Sequence, residues 1–94
     1  MVGGDLEITD LIESKIVDFG ALNYDALKMA IILGLPKESI ANFLADKESD
    51  FYKLYEKGKI LAQFAIDKKI FEMAKSGDLK AISIFENKKL LNNA

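Results

Sequence analysis

Apolar side chains recur along this chain at spacings of three and four, and no segment alternates apolar and polar residues with a period of two. The first spacing is that of one helix face and the second that of a half-buried strand, so the pattern predicts an all-helical protein. A first helix is expected over about Asp10–Phe19, with Thr9 as N-cap and Asp10 and Glu13 in the first turn against the positive end of the helix dipole. Leu11, Ile12, Ile16 and Phe19 form its stripe, and Gly20 ends it. Asn23 is expected to cap a second helix, Tyr24–Leu33, whose apolar positions are Leu27, Ala30, Ile31 and Leu33 and which Gly34 closes. Pro36 suits the first turn of a third helix reaching about Leu44. After a break at Ala45-Asp46-Lys47, a fourth helix carries Phe51, Leu54 and Tyr55 and stops near Gly58. A long fifth follows over about Lys59–Lys75. Gly77 is expected in a left-handed conformation, and Asp78 caps a last helix to about Leu90, with Leu79, Ile82 and Phe85 on one side. The internal glycines Gly20, Gly34, Gly58 and Gly77 are all read as helix ends. The first few and last three residues are expected to fray.

The long helix has an unusual pattern. At 100° per residue, Ile60, Leu61, Phe64 and Phe71 form one apolar arc, and Ala62, Ile66, Ile70 and Met73 another roughly opposite. Gln63 and Asp67 lie on one seam between the arcs, Lys69 and Glu72 on the other. A surface helix needs one stripe. Two arcs predict burial on two sides, the first on the chain's own core and the second on another subunit. Ala62, Ile66, Ile70 and Met73 are therefore the candidate oligomerisation residues; the competing reading is a helix through the middle of a bundle.

The stretch Lys37–Glu56 fits a helix-turn-helix. Ile40 and Leu44 face Phe51 and Leu54 across the turn, and Ala41 is the small residue expected where the helices cross. In a DNA-binding motif of this kind the second helix presents its N-terminal residues to the major groove. The candidate DNA contacts are Lys47, Ser49, Tyr52, Lys53 and Lys57, with Glu48, Asp50 and Glu56 opposing them on the same surface. The motif also packs helices where no nucleic acid is bound.

Composition narrows the chemistry. The 94 residues carry a net charge of −2, and half are hydrophobic. Charge is uneven: residues 1–23 hold five acids and one Lys, residues 59–94 four acids and seven Lys. The basic third suits an anionic partner, or is simply a solvated lysine face. There is no Cys and no His, which removes disulfides, thiolate chemistry, the commonest general base and the commonest transition-metal ligand. With no Arg, phosphate contacts must come from Lys, hydroxyls and backbone N–H groups. Asp46, Glu48 and Asp50 alternate like a calcium loop, but Phe51 and Lys57 stand where Gly and Glu are required. No phosphate-binding Gly-rich loop exists, and the serines have no His to activate them. The expectation is a protein without catalysis, cofactor or metal. The longest uncharged stretch, Met29–Pro36, is too short for a membrane span, and no signal peptide is visible, so a cytoplasmic location is expected.

From Asn23 onward the order of features resembles the small terminase subunits of tailed phages and related phage-type helix-turn-helix proteins. The resemblance rests on Tyr24-Asp25 opening a helix that closes at Leu33-Gly34-Leu35, on Glu38-Ser39-Ile40-Ala41 followed by Phe51-Tyr52-Lys53-Leu54-Tyr55, and on Met73-Ala74-Lys75-Ser76-Gly77-Asp78-Leu79-Lys80-Ala81 before Lys88-Lys89. It covers about 70 of the 94 residues. The chain is read as one compact unit made of an N-terminal acidic helix (residues 1–22), a helix-turn-helix (23–58) and a helical hairpin (59–94), and the resemblance implies that the hairpin serves oligomerisation. It also implies a function: binding double-stranded viral DNA, assembling into a homo-oligomeric ring and recruiting the terminase large subunit during packaging. The alternative is a helical protein–protein interaction module, or a phage transcriptional regulator acting outside packaging.

Overall fold

Thr9 opens the first helix as its spacing predicts. The computed structural model describes residues 6–92, with side chains described as far as Leu90. The Thr9 hydroxyl accepts from the Ile12 N–H at 3.4 Å, and α1 runs Asp10–Ala21. The chain turns through Asn23, held at φ 57°, before α2, Ala26–Leu33. Asp25, not Asn23, caps α2, its carboxylate accepting from the Lys28 N–H at 2.9 Å. Asn23 tolerates the left-handed conformation better than most residues, and that is the role the turn gives it. Gly34 closes α2 at φ 70°. Pro36 stands just outside α3, Lys37–Ala45, as its N-cap residue. Among the described residues two more helices follow, α4 (Asp50–Lys75) and α5 (Leu79–Asn92), and no strand occurs. Fraying was expected on terminal residues that fall outside the described ones, apart from Asn92, which belongs to α5.

The expected break at Gly58 is absent: the fourth and fifth predicted helices are one helix of 26 residues. Gly20 likewise lies inside α1, and both glycines are buried. They mark a helix crossing. A Cβ on Gly58 would lie 2.8 Å from the Val17 carbonyl carbon and 2.9 Å from the Ala21 nitrogen; one on Gly20 would lie 2.8 Å from the Tyr55 carbonyl carbon. The backbones of α1 and α4 approach so closely that neither position accepts a side chain. A mid-helix glycine is normally unfavourable by about 1 kcal/mol. Here it is the condition for the contact.

The chain does not form the single compact unit expected for its length: it divides into two, Met1–Leu61 and Ala62–Ala94. In the first, Ile16, Phe19, Met29, Ala30, Ile40, Phe51 and Tyr55 form the core. Phe43 stacks on Phe51 with ring centroids 5.3 Å apart. The Tyr55 hydroxyl donates to the Tyr24 carbonyl at 2.7 Å, so this buried ring leaves no polar atom unpaired. Several expected core positions face outward instead: Leu11, Leu27, Ile31 and Ala41 are exposed, while Met29 and Ser39 are buried. α2 is apolar nearly all round, so periodicity alone could not select its inner face.

In the second unit α5 folds back along the C-terminal part of α4. Phe71 meets Phe85 at 5.1 Å between centroids, and Lys88 pairs with Asp67 at 3.3 Å. Gly77 adopts φ 98° as expected, and Asp78 caps α5 by accepting from the Ala81 N–H at 2.9 Å. Ala81 is buried and Phe85 half-buried, whereas Leu79 and Ile82 are exposed.

Candidate nucleic-acid interface

The turn between α3 and α4 spans residues 46–49 and is pinned from within. The Asp46 carboxylate accepts from the Glu48 N–H at 3.0 Å. The Ser49 hydroxyl donates to the Phe43 carbonyl at 2.8 Å and accepts from the Tyr52 N–H at 3.1 Å. Ser49 thus caps α4 and ties it to the last turn of α3. Ser49, a candidate phosphate contact, is therefore also a clip between the two helices.

Lys47 in the turn and Lys53 and Lys57 on α4 are exposed, and Tyr52 is half-buried. Lys53 and Lys57, four residues apart, lie on one strip of α4. Lys53 pairs with Glu48 at 3.8 Å across exposed side chains. An exposed pair of this kind contributes at most about 1 kcal/mol, so it does not commit Lys53. Among the described residues Lys47 and Lys57 have no ion-pair partner. Asp50 sits in the first turn of α4 and puts negative charge beside this strip. Lys59, next along the helix, is engaged elsewhere: its ammonium lies 5.5 Å from the centre of the Tyr55 ring and 3.6 Å from the Glu56 carboxylate.

The two apolar arcs of α4 are not arranged as expected. The first arc does not reach the core: Ile60 and Leu61 are exposed, and Phe64 is 60% exposed. In the second, Ile66 and Met73 are 53% and 42% exposed, while Ala62 and Ile70 are half-buried. α5 reaches the Gln63–Asp67 seam between the arcs through Lys88. Gln63 donates to Asp67 at 2.9 Å, and the Lys88 ammonium approaches the same carboxylate. The Gln63 hydrogen bond first, and Lys88 with it, hold the Asp67 carboxyl below its ordinary range, against the opposing effect of burial. Asp67 of the seam is half-buried and Gln63 is exposed; in the arcs Phe71 packs on Phe85, while Ile60, Leu61, Phe64, Ile66 and Met73 stay exposed on both sides of the helix.

Among the described residues no group of three or more Asp and Glu side chains is placed to hold a metal ion, and no helix is long and apolar enough to cross a membrane. Comparisons with models of protein families, with curated proteins and with solved structures find no match. The functional reading therefore rests on the residues themselves.

Proposed function

We propose that the chain is a DNA-binding, self-assembling accessory protein of the small-terminase kind. In this reading α3, its turn and the start of α4 form a helix-turn-helix, and α4 with α5 forms the hairpin through which copies associate. The observation that carries the reading is the Ser49 clip. It fixes α4 against α3 and leaves Lys47, Lys53 and Lys57 exposed at the end of α4 that a recognition helix offers to DNA.

Assembly is supported by the two open arcs. Phe64 and Ile66 point in nearly opposite directions on one helix, so a single two-fold contact covers only one of them. A head-to-tail contact, one copy's first arc on the next copy's second, covers both and closes into a ring where the rotation permits. Each subunit brings few cations, so duplex affinity comes from several weak contacts acting together. Recruitment of a large subunit belongs to the same proposal and rests on the resemblance alone.

The exposed arcs also favour a second reading, a purely protein-binding helical module. A fluorescence titration with labelled duplex DNA, run beside light scattering for native mass, separates the two. The DNA reading expects an oligomer that binds duplex at about 50 mM salt and releases it by about 200 mM. An oligomer that ignores duplex at the lower salt supports the protein-binding reading and refutes the first.

A further inference from the structure

The segment before α1 lies against the proposed DNA-facing end of α4. Leu6 and Ile8 are half-buried and pack on the core. With Phe43, Ser49, Asp50 and Phe51 they line an open cleft of about 300 Å³. Ile8 also lines a neighbouring cleft of about 340 Å³ with Glu13, Asp50, Lys53 and Leu54. Glu13 lines the second cleft together with Lys53, and Glu7 is exposed in the segment between Leu6 and Ile8. Among the described residues, residues 6–8 have no backbone hydrogen bond and are held by their two apolar side chains.

We propose that residues Leu6–Thr9 act as a strap that, through Glu7 and with Glu13 in the adjoining first turn of α1, restrains duplex binding at the start of α4; this rests on the DNA-binding reading. These carboxylates occupy the electrostatic place of duplex phosphates. Glu13 shares a cleft with Lys53 and lowers the potential an incoming phosphate meets there. Glu7 stands between Leu6 and Ile8, so any movement of the strap carries its charge away with it. The hold is weak by construction, since two half-buried aliphatic side chains contribute far less than a core helix. Duplex bound along the Lys47–Lys53–Lys57 strip must either tolerate these charges or displace the strap.

The test uses the full chain and a fluorescein-labelled duplex without a chosen sequence. Glu7→Gln/Glu13→Gln removes two charges and leaves the packing intact. Leu6→Ser/Ile8→Ser keeps the charges and loosens the strap. At low salt the Gln pair is expected to bind about three- to tenfold more tightly than the parent, and the gain should fade at high salt because the interaction is screened. The Ser pair should shift in the same direction. Tyrosine fluorescence melts, which report only Tyr24, Tyr52 and Tyr55 of the first unit, show whether the Ser pair remains folded. If it does not, the Gln pair decides alone. Parent binding that the Gln pair leaves equal or weaker overturns the strap and leaves the DNA reading standing. Absence of duplex binding by every form overturns both.

Discussion

Gly58→Ala is the sharpest test of the α1–α4 crossing, because two effects of known size act in opposite directions. In an exposed helix interior, alanine is favoured over glycine by about 0.8–1 kcal/mol. At this position the new Cβ would lie 2.8 Å from the Val17 carbonyl carbon and 2.9 Å from the Ala21 nitrogen, against ordinary contacts of 3.4–4 Å. The obstructing atoms are backbone, so no rotamer change relieves them. The helices must separate by roughly an ångström, and that draws Ile16 and Phe19 of α1 out of their packing. Overpacking of this kind costs about 1–3 kcal/mol, occasionally more. Because the obstructing atoms are backbone, the upper part of that range applies, about 2–3 kcal/mol, and subtracting the propensity gain leaves a net destabilisation of about 1–2 kcal/mol. For a chain of this length each kcal/mol corresponds to about 4–8 °C in Tm, so a fall of about 5–15 °C is expected. Tyrosine fluorescence is the appropriate signal, since all three tyrosines lie in the first unit. A Tm equal to or above that of the parent would show that the helices do not meet at Gly58.

Ser49→Ala removes the hydroxyl that caps α4 and bonds the Phe43 carbonyl; a loss of about 1–2 kcal/mol is expected, read by urea unfolding. Gly77→Val places a β-branched residue at φ 98° and should destabilise the second unit by about 1 kcal/mol or more, while Asp78→Ala should cost about 1 kcal/mol through the lost cap; circular dichroism melts overlaying the parent would contradict both. The Asp67 carboxyl is held below its ordinary value of 3.8. Its contacts with Gln63 and Lys88 therefore add stability above that value and lose it as the pH falls through the lower folded one. Asp67→Asn should flatten this acid limb of the melting profile.

Helix-end signals were legible where glycine stands beside a second signal. Gly34 is followed by Leu35-Pro36, and Gly77 by the capping residue Asp78; both adopt the left-handed conformation. Gly58 lacks such company, since it is followed by Lys59 and Ile60 with no capping residue, whereas Gly20 stands one residue before the end of α1. A glycine between two apolar-periodic segments in continuous register is better read as a close approach, and only the partner backbone distinguishes the cases. Of the candidate DNA residues, the chain positions of Lys47, Lys53 and Lys57 predicted exposure, whereas the double hydrogen bond of Ser49 depends on how α3 ends and was not visible. The two arcs of α4 were visible by periodicity. That α5 pairs with the polar seam between them was not, because it depends on Lys88 reaching Asp67 from 21 residues away. The strap was hidden for a related reason: Leu6 and Ile8 lie outside any periodic run.

The salt dependence of duplex binding, measured for the parent and for Lys53→Ala/Lys57→Ala, tests the central claim most directly. Each neutralised phosphate adds about 0.9 to the slope of log affinity against log salt. With both lysines on phosphates, the double variant should flatten the slope by about one to two units while the melting profile of the first unit is unchanged. Duplex binding whose slope is the same in parent and variant would contradict the claim and move the contact to the basic side chains of the second unit, Lys68, Lys69, Lys75 and Lys80.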